Sequence, residues 1–416
     1  MKLFLPILLV FTAATSLPGN TMVEWNGAIL AAIRPQTPPP LLLVRNLAIV
    51  HQAAFDAALQ CSPDAPYPFF MDELDQEEAN PPPPQLAAAY AAHTATLALF
   101  PSSRPLFDRL LEDQTASAEP DVLQRARAIG QRCAIAHLKA REDDRLSGSL
   151  TYVPRDEPGQ WRRTPPSYRP PELPHARHVR PYVIEELESF LPPGPPDMTS
   201  ADWATALHQV HTIGAKESEL RTEEQSIIAR FWSDFSYTIT PPGHWNQIAS
   251  GIARQRDYSL MEEAHLLAWL NTAMLDAGIV CWEAKYRFNF WRPITAIYEA
   301  ERDGNSQTEP DTSWNSYLES PPHPEYPSGH SSFSGAAARF LQLYFGTDDL
   351  AFSTRSDSVP GHTREFTSLW ACAVEISWSR VYGGIHYLFS GDDGLDSGKR
   401  VAEAVFAASE TKAPSD

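Results

Sequence analysis

The sequence predicts an all-α protein whose helices fall into two sets separated by a long Pro-rich loop. Helical apolar spacing, the absence of clear strand alternation, and two proline-dense breaks predict the helices and loops. At 416 residues with 43% hydrophobic and 11% aromatic content, the chain is long enough to bury one large core or two moderate ones. Apolar residues recur at i, i+3, i+4 and i+7 in "LLLVRNLAIVHQAAFDAAL", "QLAAAYAAHTATLALF" and "DVLQRARAIGQRCAIAHLKARED". The same spacing recurs in "TEEQSIIARFWSDFS", "EEAHLLAWLNTAMLDAGIVCWEAKYRF", "AAARFLQLYF" and "REFTSLWACAVEISWSRVY".

The breaks are "NPPPPQ" at 80–85 and a long segment at 152–183, both read as extended because proline removes a donor and fixes φ. The second break divides the chain into a helical set at 22–183 and another at 184–416. Its arginines and aromatics predict that it packs over the body of the protein. Residues 1–21 have the outline of a secretory signal peptide: one Lys, an apolar run and small residues after it. This predicts a secreted or periplasmic protein, or a cytoplasmic one if translation starts at Met22.

A net charge of −19 repels phosphate backbones, so no nucleic-acid partner is expected. No segment outside the N-terminal one reads as a membrane span, so no membrane association is expected either. Cys61, Cys133, Cys281 and Cys372 are far apart and read as free core thiols. A homodimer is compatible with the sequence, which carries no oligomerisation signal.

Three stretches carry chemistry. In "WEAKYRFNFWRPITAI" (282–297), Lys285 and Arg292 are seven apart, on one face of a continuous helix, although Pro293 can end or kink it. Cations set among Trp282, Tyr286, Phe288, Phe290 and Trp291 need a partner. In "HPEYPSGHSSFSGAAARF" (323–340), a turn opens an Ala-rich helix, whose unpaired first amides favour an oxyanion. Ser328 can donate a hydroxyl, Gly329 admits close backbone approach, and His330 can exchange a proton. In "SWSRVYGGIHYLFSGDDGLDSG" (377–398), Gly383 and Gly384 stop a helix, letting His386 turn back toward Arg380. Each stretch alone also reads as an ordinary cap or solvated stripe. His208 and His211 read as ordinary helix histidines.

Together they resemble the vanadium-dependent haloperoxidases and the related acid phosphatases of the type-2 phosphatidic acid phosphatase superfamily. The signature K-x6-R-P, P-S-G-H, S-R-x5-H is matched by Lys285 to Arg292-Pro293, by Pro327 to His330, and by Ser379-Arg380 to His386. Trp282, three residues before the Lys, is similar to the haloperoxidase branch, as are "WNGAILAAIR", "VRNLAIVHQAAFDAA", "GQWRRTPPSYRPP" and "PPGHWNQIA". The likeness spans most of residues 24–408.

The resemblance implies two four-helix bundles with the site in the second and vanadate as cofactor. His386 would bind the metal axially; Lys285, Arg292, Ser328, the Gly329 amide and Arg380 would hold its oxygens, with Trp282 beside them. His330 would be the acid-base group and Lys285 would polarise bound peroxide. Hydrogen peroxide, halide and a small organic substrate would be the reactants.

Asp234 would partner Arg380. His323 occupies a position that is Phe in fungal chloroperoxidases and His in algal bromoperoxidases, so bromide or iodide is expected over chloride. The family often has Asp four residues after the ligating His; Ser390 stands there, which predicts that a shifted Asp or another group orients His386. The alternative is hydrolysis of phosphate monoesters, with His386 as nucleophile and His330 as general acid.

Overall fold

The computed structural model describes residues 21–74, 79–144, 146, 150–235 and 237–410. Residues 1–20, most of the expected leader, lie outside them. The first five helices are α1 (Thr21–Ile33), α2 (Pro40–Gln60), α3 (Pro84–Leu99), α4 (Arg104–Thr115) and α5 (Pro120–Ala140). Proline opens α2, α3 and α5 at a position whose N–H needs no intrahelical partner, so the breaks in the pattern also start helices. Then follow α6 (Ala201–Ile213), α7 (Glu223–Phe231), α8 (Thr240–Gln255) and α9 (Leu260–Phe288). Capping boxes start α7 (Thr222 with Gln225) and α9 (Ser259 with Glu262). The chain ends with α10 (Pro293–Tyr298), α11 (Gly329–Phe345), a hairpin of β1 (Asp349–Arg355) and β2 (Thr363–Ser368), α12 (Leu369–Tyr382) and α13 (Leu388–Glu410).

The all-helical expectation holds apart from that antiparallel hairpin, in which Phe352 faces Phe366. Residues 364–368, read as the start of a helix, form β2 instead. Ser368 explains the boundary: its hydroxyl caps α12 by accepting from the Ala371 amide, so the helix begins there and not at Arg364. The strand signal was short: Phe352 and Thr354 bury alternate positions of β1.

Two large cores share α2 and α9. Leu260, Ala264 and Leu267 of α9 join Leu47, Val50 and Phe55 of α2 in one core with α3 and α5. Further along α9, Leu270 to Trp282 join residues of α8, α11, α12 and α13 in the other. Helices α2 and α9 have the length and composition of membrane spans, but 89% and 100% of their most apolar stretches are buried inside the protein. They are core helices here. All four cysteines are buried.

The Pro-rich segment is fastened to the body. Asp276, fully buried on α9, accepts the amides of Tyr182, Val183 and Ile184. At its other end, the Trp161 amide donates to Asn289 O (2.7 Å), and the Trp291 amide donates to Gly159 O (2.9 Å). These bonds fix the turn after α9. A third core of Trp203, Phe290, Trp291, Tyr326 and Tyr387 packs beneath it. Arg292 is therefore presented from a clamped turn.

Candidate active site

Helix α9 ends at Phe288 because Asn289 adopts a left-handed conformation (φ 49°), so Lys285 and Arg292 do not share a continuous helix. Arg292 instead caps α10 and points back to the centre of the bundle. Its Nε donates to His323 O (3.1 Å), Nη1 to Ile385 O (2.8 Å) and His386 Nε2 (3.0 Å), and Nη2 to His323 Nδ1 (3.1 Å). One guanidinium thus joins the turn before α11 to the segment after α12. Burial lowers its pKa to about 10, opposed by the charge of Glu325.

Lys285 is equally buried but lies beneath the P-S-G-H turn. Its ammonium donates to the carbonyls of Pro324, Glu325 and Pro327, three acceptors for three hydrogens. This corrects the expectation that Lys285 reaches a bound group with its own hydrogens: a fully desolvated ammonium needs its donors satisfied, and the nearest acceptors are backbone. Its positive charge still sits below Gly329, and burial lowers its pKa to about 8. A Cβ on Gly329 would lie 3.8 Å from Lys285 Cε and 3.7 Å from the Trp282 ring.

Ser328 caps α11, its Oγ accepting the Ser331 amide at 3.3 Å. That leaves the first-turn amides of Gly329 and His330 with no intrahelical acceptor. His330 faces the cavity, with Nε2 3.3 Å from Ser233 O. Burial, then the charge of Arg380, holds its pKa well below the ordinary value. His323 and Trp282 line the same cavity with ring centroids 5.4 Å apart.

Arg380 is 1% exposed, yet only its Nη1 has an acceptor, Trp232 O at 2.7 Å. Nε and Nη2 are buried without a partner among the described residues. Burial lowers its pKa to about 9, countered by the negative charge of Asp234. Asp234 does not hydrogen-bond Arg380, as the sequence reading expected. It sits 3.3 Å from His244 Nδ1, which α8 brings close, and acts on Arg380 through charge alone.

The residue that orients His386 escaped the sequence reading. Ser390 and its neighbouring aspartates do not do so: Asp393 accepts the Tyr326 hydroxyl, and Asp392 is exposed. The partner is Glu325, fully buried, with Oε1 2.7 Å from His386 Nδ1 and 3.2 Å from the Tyr387 amide. The signal was available, since Glu325 is a carboxylate inside the turn motif itself, three residues before Ser328. Sequence separation of 61 from His386 concealed the pairing.

These groups surround a cavity of about 250 Å³ whose lining includes Gly329, His330, His323, His386 and Asp234. A buried guanidinium with unspent donors, the open end of α11 and a buried histidine make a pocket in a helical protein whose chemistry suits an oxyanion. The model of the second helical-bundle domain of vanadium chloroperoxidase matches residues 265–413. Vanadium chloroperoxidase of Curvularia inaequalis is 24% identical, covering 89% of this chain and 79% of that protein. The solved structure of the first bacterial vanadium-dependent iodoperoxidase is 28% identical, with TM-score 0.80 and coverage of 93% and 95% of the two chains. A holo-type bacterial vanadium-dependent chloroperoxidase, 19% identical over 96% and 97% of the chains, shares the fold with TM-score 0.71. Residues 265–413 thus match the second bundle of a vanadium chloroperoxidase, and nearly the whole chain is similar in fold to vanadium-dependent haloperoxidases.

Proposed function

We propose that this enzyme uses vanadate to oxidise bromide or iodide with hydrogen peroxide, giving a hypohalous acid equivalent that halogenates small organic acceptors. The observation that carries the reading is Arg380, a buried cation whose Nε and Nη2 have no partner among the described residues. Leaving charged donors desolvated and unpaired costs several kcal/mol unless an anion takes them up. The residues fit vanadate: Arg380, Arg292 and the Gly329 amide would hold its oxygens, with the Ser328 hydroxyl as a further donor and His386 as metal ligand. When bound, vanadate supplies a Lewis-acidic centre at which peroxide becomes an oxidant of halide without redox change at the metal.

The chain's own residues account for the rest. Glu325 accepts from His386 Nδ1, which sets the tautomer with the lone pair on Nε2, the form a metal ligand needs. Arg292 covers that lone pair and helps keep it unprotonated. His330, neutral and with Nε2 turned to the Ser233 carbonyl, keeps Nδ1 to take a proton from incoming peroxide and return it to the departing oxygen. Lys285 adds positive charge from below and holds the turn in shape. Overall, halide, peroxide and one proton give hypohalous acid and water.

His323 at the cavity wall and the 28% identity to an iodoperoxidase support bromide or iodide over chloride. The test compares bromination and iodination of a reporter dione with hydrolysis of a phosphate monoester, with and without orthovanadate. Vanadate-dependent halogenation is expected; phosphatase activity alone would replace this reading with the phosphohistidine one.

A further inference from the structure

The geometry points to Glu172, in the Pro-rich segment, as a specificity-determining residue that controls the entry of anionic halide to the site. The inference rests on the haloperoxidase reading above. Glu172 lines the cavity that also holds His323, His330 and His386. Its backbone is clamped there: its amide donates to Pro322 O at 2.8 Å, and its carbonyl accepts the Tyr286 hydroxyl at 2.6 Å. Among the described residues the carboxylate has neither a hydrogen bond nor an ion pair, so its charge is not spent on them.

The neighbouring charges are committed elsewhere. On the same segment, Arg169 pairs with Glu319 at 3.4 Å and donates to Ser320 O. From α9, Lys285 gives its hydrogens to backbone carbonyls. Arg292, from the turn after α9, is bonded to His323 and His386. On the opposite wall, Asp234 sits on His244, and His330 on α11 is neutral. Burial raises the Glu172 carboxyl above its ordinary range, opposed by Arg169, Lys285 and Arg292.

The acid is therefore protonated at low pH and ionises as pH rises, placing an unpaired negative charge in the cavity a halide must enter. The apolar part of the lining, Pro321, Pro322, Trp282 and Phe333, screens that repulsion poorly. Hydrogen peroxide is neutral and passes without penalty.

The experiment uses the vanadate-loaded full chain and measures KM for bromide and for peroxide from about pH 4 upward to about pH 8, beyond the ordinary carboxyl range. In the wild type, KM for bromide should rise about tenfold across that range while KM for peroxide stays level. Glu172→Gln and Glu172→Ala should each flatten the bromide curve. The line width of the bromide NMR signal gives the same comparison at equilibrium, without turnover. Variants that keep the wild-type bromide curve, or that shift both KM values together, would overturn the proposal while leaving the haloperoxidase reading intact. A wild type that oxidises no halide overturns both.

Discussion

His386 Nδ1 and Glu325 Oε1 lie 2.7 Å apart, both side chains buried, in the middle of a turn that Lys285 holds from below. Oε1 also accepts the Tyr387 amide, so it is an acceptor toward the ring and Nδ1 is the donor. Burial nevertheless pushes the Glu325 carboxyl up to about 7, against the pull of Arg292 and Lys285, which shows how little water reaches the pair.

Glu325→Gln keeps the shape and an acceptor oxygen but removes the charge that makes Nε2 a better donor to metal. Vanadate affinity should fall by about 10-fold or more, the usual cost of losing an outer partner of a ligating histidine. Titration of the purified variant with orthovanadate checks this; unchanged affinity would remove Glu325 from the role.

Arg380→Met should separate stability from function. Removing a cation with two unsatisfied buried donors should stabilise the vanadate-free protein by about 1–3 kcal/mol, visible in thermal unfolding. Vanadate binding should weaken by at least about 1.5 kcal/mol per charge-assisted bond lost. A destabilised vanadate-free variant would mean that the Arg380 bond to Trp232 O outweighs its desolvation.

Gly398→Ala tests how the helices carry the site. A Cβ there would stand 2.2 Å from Ser332 O and 2.8 Å from Ala336 N, both backbone atoms of α11. Since neither can rotate away, α13 must move off α11, costing about 1–3 kcal/mol in denaturant unfolding. Ser332 belongs to the first turn of α11, so vanadate affinity should fall with stability. Loss of stability with full affinity would show that the turn holds its shape independently of α13.

Glu263 gives a pH signature away from the site. Its buried carboxyl accepts the Met22 and Val23 amides at the start of α1, and burial raises its pKa from 4.5 to about 8. Between those values the unfolded chain releases a proton that the folded one keeps. The contribution of Glu263 to folding stability should therefore be greatest below about pH 4.5, decline as pH rises, and level off above about pH 8. Chemical unfolding across this range should show that decline in the wild type and lose its Glu263 component in Glu263→Gln.

The sequence alone determined most of the helices and the signature residues Lys285, Arg292, Ser328, Gly329, His330, Arg380 and His386, because both depend on short-range order. Apolar spacing of 3.6 residues marks a helix wherever it occurs. The three signature stretches each fit within one turn-helix junction, so their residue types and spacing were legible one by one.

What only the tertiary structure decided was who satisfies whom. Glu325, not an aspartate after Ser390, reaches His386. Lys285 spends its hydrogens on the turn, and Asp234 bonds His244 and not Arg380. Each pairing joins different parts of the tertiary fold, where burial forces every polar atom to take the nearest partner that packing supplies. Arg380 is one of the exceptions: among the described residues its Nε and Nη2 stay buried without a partner, a state that favours an oxyanion beside them.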